Sequence, residues 1–241
     1  MKALMENIGV VLNEPKYPEN IGAAARCCKN MGVRRLVLVR PCDLNTEKIL
    51  KMATHEAADV IENMAIFDDL EKAISPFNYA VGTTARTGRQ RRPTGTPREM
   101  APSIAALSQT NRIAIVFGSE NFGLSNEDLY LCQAVVNIPT AGFSSINLAQ
   151  SVMILCYEVF TAEATETGFK PRLASIMELE GMYRHLSEAF LSIGLINPDN
   201  PDHYMRNARR FLGRLELRSK EVKIVRGMCR QILWACNRQK D

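Results

Sequence analysis

The sequence is short of the parts that would place it in several large classes. No apolar run approaches the roughly 18 residues that a membrane span needs. The first residues pass straight into a strand pattern, so neither a signal peptide nor a membrane anchor is expected. Seven cysteines, an odd number without a Cys-x-x-Cys pair, argue against a disulfide framework and a structural zinc site. Cys132, Cys156, Cys229 and Cys236 sit in apolar stretches and read as reduced core residues, which points to the cytoplasm. There is no Gly-x-x-x-x-Gly-Lys-Ser/Thr loop, and no strand is followed by Gly-x-Gly-x-x-Gly, so the two common nucleotide signatures are missing. Only three histidines occur, His55, His185 and His203. All three fall outside the polar clusters described below, leaving Ser-His-Asp hydrolysis and His-ligated metal catalysis without parts. Paired carboxylates are absent from those clusters too, and no metal is expected. Internal repeats and low-complexity tracts are also lacking.

What remains is an ordinary globular composition, 46% hydrophobic and 23% charged over 241 residues, enough for one full domain and a smaller one. Residues 1–164 alternate strand and helix. Strands are expected near Ile8–Asn13, Arg35–Arg40, Val60–Phe67, Tyr79–Thr83, Ile113–Phe117 and Val135–Ile138. Such alternation implies an α/β fold with a mostly parallel sheet and helices on both faces. The helix expected over Asn147–Ala162 is apolar nearly all round, so it is either sandwiched or part of a subunit interface. Residues 165–172, a Thr/Glu/Gly/Pro-containing stretch, read as a linker. Residues 173–241 read as three helices, near Leu173–Ile193, Pro201–Gly213 and Ser219–Asn237. Charge divides along the same line. Residues 170–241 hold 14 Lys/Arg against 8 Asp/Glu, whereas residues 1–169 hold 16 against 18. A basic helical appendage suits an anionic polymer such as RNA.

Four polar clusters fall just after predicted strands, and in a parallel sheet those ends share one edge. The first runs from Asn13 to Arg26, where Asn20 and Arg26 flank a run of small residues. Asn20 at a helix start reads equally well as an N-cap. Thr83-Thr-Ala-Arg86 opens the second, which continues through Gly88, Arg89, Arg91, Arg92 and Arg98. Those five arginines in thirteen residues, without an acid, suit bidentate phosphate contact, although a solvated basic loop explains them as well. The third and fourth are glycine-bearing loops, Phe117-Gly-Ser-Glu-Asn-Phe-Gly-Leu-Ser125 and Asn137-Ile-Pro-Thr-Ala-Gly-Phe-Ser-Ser-Ile-Asn-Leu-Ala149. Each lies between a strand end and a helix start, the way a parallel sheet makes a small-ligand cleft. Backbone donors, small hydroxyls and arginine dominate, and Glu120 is the only well-placed acid. Such a site positions and stabilises charge rather than shuttling protons through a tuned base.

Taken in order, Asn20-x5-Arg26, Phe117–Ser125 and Ile138-Pro with Ser144-Ser-Ile-Asn-Leu-Ala149 resemble the three motifs of the SPOUT family of RNA 2′-O-methyltransferases. The likeness spans essentially the whole chain. The Thr83-Thr-Ala-Arg86 loop and the tail with Ile193-Gly-Leu-Ile-Asn-Pro-Asp-Asn-Pro201 resemble members acting on nucleotide 32 of the tRNA anticodon loop, at cytidine or uridine. The resemblance implies S-adenosylmethionine as methyl donor, tRNA as substrate, a homodimer, and a trefoil knot in the sheet domain. By matching position it implies that Thr83, Thr84, Ala85, Gly118, Glu120, Ile138, Ser144, Ser145 and Ile146 bind the cofactor. Arg26 would be the main catalytic residue, with Asn20, Ser145 and Asn147 around it, and Arg86, Arg89, Arg91 and Arg92 would contact RNA. In one place the chain departs from the family: Gly88 intervenes, so the next arginine falls at 89.

The chemistry asks that a ribose hydroxyl lose a proton and attack a sulfonium methyl in line. A guanidinium stays charged at any ordinary pH. Arg26 therefore reads as a group that holds a phosphate and stabilises the developing oxyanion, while the family's usual proposal makes it the base. A non-catalytic RNA-binding protein, a nucleotide-dependent α/β enzyme, or a methyltransferase of another tRNA position or of rRNA would share parts of this pattern.

Overall fold

The structure is a computed structural model; it describes residues 1–86, 88, 93–164 and 170–238. The chain forms two compact units, Met1–Lys170 and Pro171–Asp241.

In the first unit six strands alternate with helices: β1 (Ile8–Asn13), α1 (Pro18–Asn30), β2 (Arg35–Val39), α2 (Thr46–Ala53), α3 (Ala58–Glu62), β3 (Ala65–Phe67), α4 (Leu70–Ile74), β4 (Tyr79–Thr83), α5 (Pro97–Leu107), β5 (Ile113–Phe117), α6 (Asn126–Tyr130), β6 (Ala134–Val136) and α7 (Leu148–Thr161). The sheet order is β3-β2-β1-β5-β4-β6, with every pairing parallel. β1 and β5 lie at its centre and are buried along their whole length, which is why both are near-continuous apolar runs. α7 packs against α1 and α5, burying Leu148, Val152, Leu155, Cys156 and Val159.

Two expectations change here. The stretch expected as one strand over Val60–Phe67 is a short helix followed by a three-residue strand. Ala57, Val60 and Ile61 are all buried. Their spacing is that of a helix face, and only Ala65–Phe67 pairs, with β2. Asn20 is not an N-cap either. Helix α1 opens at Pro18, with Tyr17 before it, because proline at the first helical position needs no N–H partner. Asn20 therefore lies within the first turn, its side chain available for other bonds.

The second unit contains α8 (Ile176–Ser192), α9 (Pro201–Leu212) and α10 (Ser219–Arg238), packed around Leu179, Met182, Tyr183, Leu186, Met205, Val222 and Cys229. Ser175 and Glu178 form a capping box at the start of α8. The same carboxylate accepts from the Ser219 hydroxyl at 3.0 Å, fastening α10 to α8. Buried Glu180 takes a two-pronged ion pair from Arg209 of α9, whose guanidinium stacks 4.4 Å from the centre of the Tyr183 ring. Of the expected linker, residues 165–169 lie outside the described residues.

Candidate active site

Strand order decides which loops meet. β5, β4 and β6 are consecutive in the sheet, with Gly82 opposite Val116 and Thr83 opposite Val136. The loops leaving Thr83, Phe117 and Val136 therefore emerge side by side at the carboxyl edge, where parallel sheets bind ligands. Hydrogen bonds lock the three together. The Thr83 hydroxyl donates to the Val116 carbonyl at 3.0 Å. The Thr84 N–H donates to the Val136 carbonyl at 3.0 Å, and the Asn137 amide returns a bond to the Thr84 carbonyl at 2.8 Å.

The middle loop is folded tightly on itself. Its Gly123 N–H donates to the Ser119 carbonyl at 2.8 Å, and Gly123 takes a positive φ of 63°. A Cβ on Gly118 would overlap the main chain of Gly123 and Leu124, so only glycine lets the turn close. Ser125 and Asp128 then cap α6 reciprocally, and Asp128 also accepts from Asn13 at the end of β1.

Between the loops lies a cavity of about 290 Å³, at the lower edge of the size range of small-molecule sites. Thr83, Thr84, Ala85, Gly118, Glu120, Ile138, Ser144, Ser145 and Ile146, the nine positions expected around a cofactor, all line it. Phe117, Phe122 and Leu148 are among the apolar residues that also line it. The Ser144 and Ser145 side chains are exposed and have no hydrogen-bond partner among the described residues. No histidine lines the cavity; Glu120 is its one acid and Arg86 its one base among the described residues.

Glu120 is held rather than free. Its carboxylate accepts from the Lys16 N–H at 2.9 Å, the Tyr17 N–H at 3.4 Å and the Asn20 amide at 2.8 Å. The Asn20 carbonyl oxygen in turn accepts from the Asn147 amide at 2.9 Å. Asn147 caps α7, its oxygen taking the N–H groups of Ala149 and Gln150. One chain of polar contacts, Glu120–Asn20–Asn147, thus joins the start of α1, the glycine turn and the start of α7. Local pattern misses this network because its bonds span 100 and 127 residues.

Arg26 stands apart. Seven residues from Asn20, Cys27 reaches the Ala149 carbonyl at 3.4 Å, so that stripe of α1 faces α7. Arg26 lies roughly 100° around the helix from it. It is exposed, does not line the cavity, and has no hydrogen-bond or ion-pair partner among the described residues. Arg86 is engaged instead: its Nη2 donates to the carbonyls of Phe122 at 2.7 Å and Leu124 at 3.2 Å. Arg98, grouped with the basic loop by sequence, pairs with Glu158 of α7 at 3.1 Å. Arg89, Arg91 and Arg92 lie outside the described residues. Sequence reasoning passed over Asn137, although an amide immediately after a strand end is a signal that could have found it.

Comparison with known proteins identifies the relatives of the chain. Residues 7–157 match the SpoU rRNA Methylase family, and residues 177–241 match the C-terminal domain of the tRNA methyltransferase TrmJ. A Pseudomonas aeruginosa tRNA (cytidine/uridine/adenosine-2′-O-)-methyltransferase TrmJ is 37% identical, covering 93% of each chain. TrmJ of Z. mobilis superposes with a TM-score of 0.81 at 28% identity, over 93% of this chain and 98% of that one. The fold is also shared with the SpoU methyltransferase AviRb of Streptomyces viridochromogenes, solved in complex with AdoMet. There the TM-score is 0.50 at 23% identity, over 63% of this chain and 58% of that one.

Proposed function

Since the chain belongs to the SpoU methylase family and sides with its TrmJ members over nearly its whole length, we propose that it methylates a ribose 2′-hydroxyl of tRNA. The methyl donor is S-adenosylmethionine, and the nucleotide is 32 of the anticodon loop. The observation that carries this reading is the cavity at the carboxyl edge of β4, β5 and β6. Its lining combines small residues, apolar side chains and the unbonded Ser144 and Ser145 hydroxyls, and Gly118 puts no side chain where the turn closes on itself. These features fit a nucleoside-bearing cofactor held by main chain more than by charge. Bound there, the donor supplies an electrophilic methyl group on a sulfonium.

The protein's own task is then to bring in a ribose and manage the charge that develops on its oxygen. Ser145 lines the cavity, Asn147 caps α7 between the lining residues Ile146 and Leu148, and its bond to Asn20, which in turn holds Glu120, ties that end to α1. Arg26, uncommitted and permanently charged, is the group suited to hold an RNA phosphate and stabilise the alkoxide. Because it does not line its own chain's cavity, we place the complete site between two copies. Helix α7 supports a homodimer: Tyr157 and Phe160 are 53% and 45% exposed on one stripe, with Met153 half-buried a turn earlier. The deep knot belongs to the same proposal. What supports it is the family likeness, together with a sheet order in which β5 lies between β1 and β4 and β6 lies beyond β4. The basic second unit supplies RNA affinity.

The test is incubation with an unmodified tRNA transcript and methyl-labelled donor, followed by mapping of the modified nucleotide. A 2′-O-methyl group at nucleotide 32 is expected. Label elsewhere in the RNA would move the position, and no transfer at all, with S-adenosylhomocysteine failing to raise the melting temperature, would overturn the reading. A ligand at 100 times its Kd raises stability by about 2.7 kcal/mol.

A further inference from the structure

We infer that Arg86 is a positioning residue for the methyl-donor site, its guanidinium bracing the 118–124 turn by two main-chain carbonyls, and not one of the RNA contacts. The inference rests on the reading that the cavity takes S-adenosylmethionine. Both bonds come from one nitrogen, Nη2, to the Phe122 and Leu124 carbonyls. Those carbonyls flank Gly123, whose positive φ takes the segment out of any regular hydrogen-bonding pattern. Main-chain acceptors in such a turn need donors from elsewhere, and a charged donor makes a stronger bond than a neutral one.

The other end of the brace is also fixed. The Arg86 N–H donates to the Thr84 hydroxyl at 3.2 Å, and that hydroxyl donates to the Arg86 carbonyl at 3.0 Å. Thr84 is tied to β6 through Val136 and Asn137. The guanidinium therefore links the loop after β4 to the turn after β5, two walls of one cavity. The turn has no slack on its inner side, because Gly118 already meets the backbone of Gly123 and Leu124 without room for a methyl group. Removing the brace frees the outer side, so the cavity loses its shape where Phe122 and Gly123 line it. Arg26 offers the contrast. It has no partner among the described residues and is free to meet a phosphate, whereas Arg86 has its geometry set within the chain.

Arg86→Ala and Arg86→Lys variants of the full chain decide the matter by three measurements. Calorimetry with S-adenosylhomocysteine should show Kd rising on the order of tenfold for Arg86→Ala, equivalent to about 1.4 kcal/mol, with KM for the donor rising alike and kcat changing less. Hydrogen exchange should accelerate in residues 119–124 and stay as in the parent across β1 and β5. Binding of tRNA without donor should keep its affinity and salt slope, since a lost phosphate contact would lower that slope by about one. Arg86→Lys keeps a cation that reaches one carbonyl at a time, so its donor affinity should fall between the other two. It also keeps the test decisive if Arg86→Ala does not fold. Unchanged exchange in 119–124, or a reduced salt slope with S-adenosylhomocysteine affinity intact, would overturn the inference. A parent protein that binds no S-adenosylhomocysteine would instead defeat the proposed function, while the exchange measurement still judged the brace.

Discussion

Gly118 is the position where one methyl group should do most damage. A Cβ built there overlaps the Gly123 carbonyl carbon and the Leu124 nitrogen, and stands 2.6 Å from the Gly123 oxygen. Its nearest neighbours there stand at 2.0 and 2.1 Å, where real Cβ contacts essentially never fall under 3.0 Å, so the turn must retreat by about 1 Å. The obstacles are main chain, so no rotamer change relieves them. Forcing atoms into a filled space costs about 1–3 kcal/mol. The turn relaxes outward in the free protein, and the donor meets that cost when it needs the wall restored. At about 1.4 kcal/mol per tenfold, Gly118→Ala should weaken S-adenosylhomocysteine roughly 5- to 150-fold. Gly118→Val should abolish binding.

Gly123 gives the control. A Cβ there meets nothing within 4 Å, and only its φ of 63° resists substitution. A single non-glycine residue in that region costs about 1 kcal/mol, so Gly123→Ala should lose at most about fivefold. The assay is calorimetric titration of both variants, with urea midpoints to show that each stays folded. Equal losses, or a larger loss at Gly123, would refute the steric account. A Gly118→Ala protein binding within twofold of the parent would place the donor elsewhere.

Three further outcomes are expected. Arg26→Ala should lower methyl transfer about 10²–10³-fold with donor affinity little changed, and Arg26→Lys should fail almost as badly because a point charge cannot reproduce the planar fork; activity within a few-fold of the parent, at saturating donor and RNA, would sink the assignment. Tyr157→Glu or Phe160→Glu should lower the mass seen by sedimentation, and a parent that is monomeric at micromolar concentration would defeat the dimer. Deleting residues 171–241, the more basic part of the chain, should weaken tRNA binding and flatten its salt dependence while S-adenosylhomocysteine still binds; undiminished tRNA affinity at equal salt would give the appendage another purpose.

The parts of this molecule visible in its sequence are those whose physics is local. β5 is legible because a strand buried on both faces is a continuous apolar run, ended by a glycine that the turn requires. The caps at Ser125 and Ser175 are legible for the same reason, each with its acid three residues on. Asn20 is the counterexample. Its sequence context suits an N-cap, yet its oxygen and its NH₂ are spent on Asn147 and Glu120. Nothing within a few residues encodes those partners. The contacts of Arg86 with the Phe122 and Leu124 carbonyls are hidden in a similar way, since five arginines without an acid describe a charge density and not where one guanidinium turns. The Val60–Phe67 stretch failed because a short apolar run suits either period, and burial of Ala57 with Val60 and Ile61 settled it as helix.

The two charged side chains lining the cavity among the described residues are both engaged. Glu120 is held by two main-chain N–H groups and Asn20, so acting as a base would mean surrendering the contacts that fix the turn against α1. Arg86 is bound to the carbonyls of that same turn. The remaining lining is apolar groups, hydroxyls, amide and main chain, which can shape a pocket and orient a ligand but cannot neutralise an alkoxide. In the proposed reaction the positive charge would therefore come from outside this lining, from Arg26 of another copy of the chain, with an RNA phosphate or a water taking the proton. On that proposal the donor site's own lining shapes the pocket, and the ribose is the part that RNA brings. The specificity of the proposed reaction would then rest on what brings the ribose to Arg26.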